Sequence, residues 1–368
     1  MIYGRKTKSA ELAEKYRKEL QAEQLPKDSP VMSSRELAEH FAVSMSTANQ
    51  ILNLLVEQDI LYRKPKSGTF IKHDPQVAPV IAYAGPLPDR GNTNPVRYAA
   101  VTRLLKYFTE LGIEPVLVSY HTLRHPELTK RQLRNVRGLL IYTSYVDEFT
   151  LPSLWNYSGK ISVVWNSFNE DRISCCQVIP DFTGALLEFN QFKRFDDYDR
   201  ILIVQAGHLN SAADGDTVRR ILSRLQIPEK KIETVKLPVT SGDVNTYMSA
   251  SRYFSQHPDL PEKTLIVGLS EYFAQAAREI FSNGKKMPDI LSFDNMEAYL
   301  DDLEGEAYFT SIDRNMGLTA CRALDLLLSR LNDPGAEQTI LQIPAKLVIR
   351  KSVRAGSAAL SSEQRKSQ

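Results

Sequence analysis

Apolar residues follow two different rhythms along this chain. Up to about residue 74 they recur at helical spacing. Leu12, Tyr16 and Leu20 mark one face of a helix over residues 9–24, Leu37, Ala38 and Phe41 a second helix, and Ala48, Ile51, Leu52 and Leu55 a third, at the intervals of amphipathic helices. Ile60-Leu61-Tyr62-Arg63-Lys64 and Thr69-Phe70-Ile71-Lys72 then read as short strands flanking a Pro65-Lys66-Ser67-Gly68 turn, with Gly68 free to adopt positive φ. From Val80 the rhythm changes. Short apolar runs at 80–84, 115–118, 138–142 and 161–165 alternate with helical segments at 95–111, 127–136 and 150–157. After Asp181 the theme restarts, with strands at 200–204, 232–237, 265–267 and 289–293 between helices at 183–195, 216–225, 244–256 and 270–281. Strands at 308–312, 340–343 and 346–349 and a long helix over 314–331 close the series. Such alternation predicts right-handed βαβ units and parallel sheets covered on both faces. Two similar sets predict two lobes with a cleft between them. The expected organisation is a small domain over residues 1–74, a proline-bearing linker at 75–79, a two-lobed domain at 80–352 and a disordered Ser-, Lys- and Gln-rich tail at 353–368.

The small domain carries local chemistry. Ser33 with Glu36 three residues on is a capping box, which satisfies two free backbone N–H groups at a helix start. Ala42-Val43-Ser44 is a turn, and Ser44 caps the next helix. On that helix Met45, Ser46, Asn49, Gln50 and Asn53 fall mostly away from the apolar face. Asn and Gln bond adenine edges and Met touches a thymine methyl, so this face suits a DNA major groove. Arg63, Lys64, Lys66 and Lys72 make the hairpin basic, which fits phosphate contact. Two helices joined by a tight turn and followed by a basic hairpin outline a winged helix-turn-helix.

Residues 12–71 resemble the DNA-binding domain of the GntR family of bacterial transcription regulators. Its members show a Leu-Pro-Ser-Glu-Arg-Glu-Leu-Ala run, a Gly-Val-Ser-Arg-x-Thr-Val-Arg segment and a Gly-x-Gly-Thr-Phe wing. Here these are Val31-Met32-Ser33-Ser34-Arg35-Glu36-Leu37-Ala38, Ala42-Val43-Ser44-Met45-Ser46-Thr47-Ala48-Asn49 and Lys66-Ser67-Gly68-Thr69-Phe70. The resemblance implies DNA contact by Ser33, Arg35, Ser44, Met45, Ser46, Thr47, Asn49, Gln50, Arg63, Lys64, Lys66, Ser67 and Gly68, with Arg35 on a phosphate. Met45 and Asn49 stand where the family tends to carry arginine, which implies an operator other than the usual family half-site.

In an open α/β sheet a ligand binds beyond the carboxyl ends of the strands. Leu87, Asp89, Arg90 and Asn94 follow the first strand, Tyr142 and Ser144 the third, and Trp165, Asn166 and Phe168 the fourth. Gln205, His208, Ser270, Glu271 and Asp294 occupy the equivalent places in the second lobe. Polar groups of this kind with an aromatic face suit a sugar. Residues 80–350 resemble the effector domain of lactose- and galactose-repressor-type regulators, which share the fold of periplasmic sugar-binding proteins. Asn94-Pro95, Gly138-Leu139-Leu140-Ile141, the run from Met287 to Asn295 and the run from Lys346 to Ser352 carry the likeness. The resemblance implies an α/β fold, an N-terminal winged helix-turn-helix followed by a two-lobed periplasmic-binding-protein-like domain with parallel sheets, as in arabinose-repressor-type regulators. It assigns effector contact to Leu87, Arg90, Asn94, Tyr142, Trp165, Asn166, His208, Asp214, Ser270, Glu271 and Asp294. Asp214 falls where the family carries a sugar-binding arginine. Either Arg219 or Arg220 serves instead, or the ligand differs from a neutral hexose, or the cleft has lost its ligand.

Composition narrows the classes. The formal charge is +2 over 368 residues, so basic groups act as local patches such as the hairpin and the Arg5-Lys6-Lys8 arm. Three cysteines, two of them adjacent, do not form a disulfide framework and favour a reducing cytoplasm. No signal peptide is visible, and no apolar run reaches the roughly 20 residues that span a bilayer. The dinucleotide and phosphate-loop glycine patterns are absent, and Gly268-Leu269-Ser270-Glu271-Tyr272 lacks the last glycine of a nucleophile elbow. His121 and His125 are spaced as metal ligands but have no third partner in the sequence. The expectation is therefore a cytoplasmic, homodimeric, ligand-responsive transcription regulator, a repressor, with operator DNA and a small-molecule effector as partners. No catalysis, cofactor or metal is expected. The alternative is a cytoplasmic carbohydrate-binding or sugar-processing protein whose head serves assembly.

Overall fold

The computed structural model describes residues 8–23, 25–57, 60–72, 80–88, 94–157, 161–166, 175–207, 209–239, 243–261, 263–282, 287–300, 306–333 and 337–355. Two compact units divide the chain, Met1–Pro79 and Val80–Gln368. The linker expected at 75–79, and with it Arg90 and His208, lies outside the described residues.

The first unit comprises α1 (Lys8–Glu23), α2 (Ser34–His40), α3 (Met45–Glu57), β1 (Leu61–Lys64) and β2 (Gly68–Ile71). Ala13, Tyr16 and Leu20 of α1 meet Leu37, Ala38, Ala48, Ile51, Leu52 and Leu55 in one buried core, which Leu61 and Ile71 complete. The phenol of Tyr16 accepts the Met32 N–H at 3.1 Å, and burial pushes its pKa up to about 12. Strands β1 and β2 pair antiparallel with Arg63 opposite Thr69. The free edge of β2 is covered by residues 28–31, since Ile71 N–H bonds Ser29 C=O and Val31 N–H bonds Thr69 C=O.

The second unit opens with β3 (Ile81–Ala84), α4 (Pro95–Glu110), β4 (Val116–Val118), α5 (Tyr120–Leu123), α6 (Pro126–Gln132), β5 (Gly138–Tyr142), α7 (Leu151–Trp155), β6 (Ile161–Trp165) and β7 (Cys176–Asp181). It continues with α8 (Thr183–Phe192), β8 (Arg200–Ala206), α9 (Leu209–Arg224), β9 (Ile232–Leu237), α10 (Asp243–Gln256), β10 (Thr264–Gly268), α11 (Glu271–Phe281), β11 (Asp289–Phe293) and β12 (Thr310–Asp313). It ends with α12 (Met316–Asn332), β13 (Ile340–Pro344) and β14 (Lys346–Val348).

Two sheets result. One runs β13-β7-β6-β5-β3-β4, all parallel; the other runs β14-β12-β11-β10-β8-β9, parallel except for β14. Leaving out the outermost strand of each, both have the order in which the first strand lies between the second and third, so each lobe has a crevice where the direction of winding reverses. The central strands β3, β5, β8, β10 and β11 are buried on both faces, which is why they read as nearly continuous apolar runs. On β5, Leu139 and Ile141 face one core cluster and Leu140 and Tyr142 face another.

The chain crosses between lobes three times. After β7, Phe182 joins the core of the second lobe. After β12, Arg314 and Asn315 lead into α12, whose Met316, Ala320, Leu324 and Leu327 pack in the first lobe. Between β13 and β14, Ala345 N–H bonds the Asp181 carbonyl at 2.9 Å, tying this crossover to the first.

Two expectations are corrected. Val353, assigned to the tail, is buried in the core of the second lobe, and Arg354 pairs with Asp289 at 2.8 Å; a single apolar residue in a polar run carries no periodic signal. The helix expected from residue 216 begins at Leu209, so Asp214 lies inside it. Its Asp214-Gly215-Asp216 run imitates a loop.

Candidate functional site

On the first lobe, the carboxyl ends of β5 and β6 present Tyr142, Trp165 and Asn166. The two rings pack edge to face with centroids 4.7 Å apart, and the Asn166 amide donates to the Tyr142 hydroxyl at 3.1 Å. Asn166 has φ 67°, a left-handed backbone that aims its side chain back at Tyr142. Arg97, in the first turn of α4, lies 5.9 Å from the Tyr142 ring centre.

On the second lobe, the carboxyl ends of β11 and β12 present Asp294 and Arg314. The buried guanidinium of Arg314 meets Asp294 at 2.6 Å and Asp214 at 2.5 Å, and donates to the Leu269 carbonyl at 2.9 Å. Its flat faces lie 5.4 Å from the ring centres of Phe182 and Phe293, a cation–π arrangement. Burial works against this cation, but Asp214 and Asp294 outweigh it and hold the guanidinium charged. Burial raises the Asp294 pKa; Arg314, and Arg97 from the opposite lobe, pull it back. Asn94, at the start of α4, meets Met296, just beyond β11, at 3.3 Å, so the ends of these elements face each other. Asp294 has φ 88°, a strained conformation for a residue with a side chain.

Several buried polar atoms near these strand ends have no hydrogen-bond partner among the described residues: the Trp165 indole nitrogen, Asn166 Oδ1 and both polar atoms of the Gln205 amide. Leaving such groups unpaired costs about 1–3 kcal/mol each, so they mark places where an added molecule gains most. Gln205 lies under α9 at Gly215, where a Cβ would stand 1.6 Å from its Oε1. Only glycine lets α9 approach that closely.

Two other expected effector residues, Asn94 and Glu271, accept backbone N–H groups. Asn94 caps α4, its Oδ1 accepting the Val96 and Arg97 N–H groups, while its Nδ2 contacts Met296 Sδ at 3.3 Å. Glu271 is fully buried, and its carboxylate accepts the Met296 and Glu297 N–H groups at 3.0 and 2.9 Å. Ser270 precedes α11 without a side-chain cap bond, and Leu87 is exposed. Arg314 and Arg97 were not among the expected residues. The available signal was an arginine just past a strand end for the first, and one in the opening turn of the helix after β3 for the second. No cluster of His, Cys, Asp or Glu among the described residues could hold a metal ion, and no described helix is long and apolar enough to cross a membrane.

In the first unit, Ser33 and Glu36 form the reciprocal capping box, and the Ser33 bonds lower the Glu36 pKa. Ser44 Oγ accepts the Thr47 N–H at 3.2 Å. Met45, Ser46 and Gln50 are exposed; Asn49 is half-buried and accepts a bond from Ser34 Oγ at 2.7 Å. Arg35 stands exposed, loosely paired with Glu39 at 3.5 Å. Arg63, Lys64, Lys66 and Ser67 are all exposed on the hairpin, whose turn uses φ 61° at Lys66 and 117° at Gly68.

No family model matches the chain, and no curated protein matches it. Solved structures do. A LacI family transcriptional regulator from Enterococcus faecium with bound ribose is similar at 17% identity and TM-score 0.57, covering 76% of this chain and 100% of its own. One from Weissella paramesenteroides with bound sucrose gives 13% and 0.56, covering 74% and 98%. A regulatory protein of that family from Chloroflexus aggregans gives 15% and 0.57, covering 75% and 99%. At these identities the likeness establishes the two-lobed α/β fold.

Proposed function

We propose that the chain is a ligand-responsive transcription regulator, a homodimeric repressor. Its first unit binds operator DNA as a winged helix-turn-helix of the GntR type, and its second unit senses a neutral sugar between the lobes. The observation that carries this is the union in one chain of a capped helix pair plus basic hairpin with a two-lobed unit whose facing walls hold matched charges and aromatic rings. Asp214 and Asp294 are balanced by Arg314 and Arg97, so a charged ligand finds no spare counter-charge to offset its lost hydration. Hydroxyl groups instead satisfy the unpaired Trp165 and Asn166 atoms, with Tyr142 beside the apolar sugar face. The similar structures that hold ribose and sucrose support this ligand class.

In this reading α3 enters the major groove with Asn49, Gln50 and Ser46, and the hairpin and Arg35 hold phosphates. A sugar shifts DNA affinity only insofar as it binds one lobe arrangement better than the other. The test is fluorescence anisotropy on duplexes from the chain's own upstream region across a salt series, with and without a panel of pentoses and hexoses. Replacing Arg35, Lys64 and Lys66 together by alanine should abolish DNA binding and leave sugar-induced thermal shifts intact. No salt-sensitive preference for any duplex would sink the proposal.

A further inference from the structure

Met296 follows β11 of the second lobe, yet its side chain is buried in the core of the first. It shares a cluster with Val96 and Ala100 of α4 and with Met316 and Ala320 of α12. Asn94 Nδ2 touches its sulfur at 3.3 Å, and Tyr272 of the second lobe packs against the same cluster. The lobes therefore meet here as well as at their crossovers.

The turn that presents Met296 is anchored from behind. Glu271 accepts the N–H groups of Met296 and Glu297, and Ser292 Oγ donates to the same carboxylate at 3.3 Å. Glu297 in turn accepts the N–H groups of Tyr308 and Phe309 at 2.7 and 2.8 Å. Asp294 and Asn295 enter the turn at φ 88° and 54°, two successive left-handed residues with side chains. Asp294, whose carboxylate pairs with Arg314 at 2.6 Å, is thus two residues from a side chain embedded in the opposite lobe. Interlobe motion has to withdraw Met296 from that apolar pocket.

We infer that Met296 is a latch between the lobes, and that the turn from Asp294 to Met296 couples the cleft to it. The regulatory consequence rests on the cleft being the sugar site; the latch itself does not. The chain has two tryptophans, Trp155 and the cleft-end Trp165, so a Trp155→Phe background leaves Trp165 as sole reporter. Met296→Ser in that background should raise the open-to-closed ratio by about tenfold, from the lost burial of one methionine side chain. The readouts are greater acrylamide quenching of Trp165 and a larger radius of gyration in solution scattering, with far-UV circular dichroism unchanged. Met296→Leu, which keeps an apolar side chain, should behave as the parent. Glu271→Gln, which loosens the turn without touching the first lobe, should quench to an intermediate degree and provides a second test should Met296→Ser not fold. Parent-like quenching and scattering in folded Met296→Ser or in Glu271→Gln, or equal opening in Met296→Leu, would overturn the latch. None of these readouts uses sugar or DNA, so failure of the regulator proposal would show separately, as absence of binding.

Discussion

Arg314 and Asp214 stand 100 residues apart in sequence and 2.5 Å apart in space. Each is odd alone: a carboxylate where the family resemblance places an arginine, and an arginine just past a strand end. Together they place a paired cation of the second-lobe wall at the crossover into α12. Arg314→Met should leave Asp214 and Asp294 buried without their counter-charge and cost about 3–5 kcal/mol in urea unfolding. Asp214→Asn, which leaves Arg314 paired with Asp294, should cost less. The Arg314→Met/Asp214→Asn double variant should recover part of the loss, giving a coupling energy of at least about 1 kcal/mol. Strict additivity of the two single changes would show that the pair is not coupled.

Strands were legible in the sequence because buried parallel strands are continuous apolar runs, as at β5, β8 and β11. Helix starts with a chemical signature were legible too: Ser33 and Ser44 cap where their spacing predicted. The cleft was legible only as a set of strand ends. Asn94 and Glu271 stand at such ends but face backbone N–H groups, and primary sequence does not encode which way a side chain at a strand end turns. Arg314 escaped notice because its partners come from α9 and β11, and a long-range ion pair leaves no local pattern.

The buried Glu271 gives the fold a pH dependence of definite sign. Burial first, then the facing Glu297 and the nearby Asp294, push its pKa from 4.5 to about 7, against the Met296 and Glu297 N–H bonds that favour the anion. Between about pH 4.5 and 7 the folded chain keeps a proton that the unfolded chain has lost. This group's contribution to stability is therefore greatest at low pH, falls as pH rises through that window and is level above it. The total change is about 3 kcal/mol at 1.36 kcal/mol per pKa unit. Glu271→Gln should remove this slope from thermal midpoints measured between pH 5 and 8. It should also be less stable than wild type at pH 5, because its NH2 group cannot accept an N–H. A slope unchanged by the substitution would assign the pH dependence elsewhere.

Ala42 holds φ 49° in the turn between α2 and α3, where the Val43 N–H returns to the Ala38 carbonyl at 2.9 Å. A left-handed conformation costs a residue with a Cβ about 1 kcal/mol relative to glycine. Ala42→Gly should stabilise the first unit by about 0.5–1 kcal/mol, somewhat reduced by the added freedom of the unfolded chain. Hydrogen exchange of amides in α2 and α3 of the full chain would measure it. Faster exchange in the variant would show that the turn gains nothing from glycine.

Ser34 Oγ fixes the Asn49 carbonyl at 2.7 Å, so the half-buried Asn49 amide is oriented before any base is met. In the proposed DNA-binding reading, with Oδ1 engaged, Nδ2 is the donor left for purine N7 or guanine O6 acceptors. Ser34→Ala should let the amide rotate and lose about 1 kcal/mol of discrimination between operator and scrambled duplex, the worth of one hydrogen bond. No phosphate contact changes, so the salt dependence of binding should stay as in the wild type. Lys64→Ala should do the reverse: weaken both duplexes alike and reduce the salt slope by about one. Anisotropy titrations of both duplexes over a potassium chloride series separate the two effects. A changed slope in Ser34→Ala, or altered discrimination in Lys64→Ala, would contradict the assignment of base reading to α3 and phosphate contact to the hairpin.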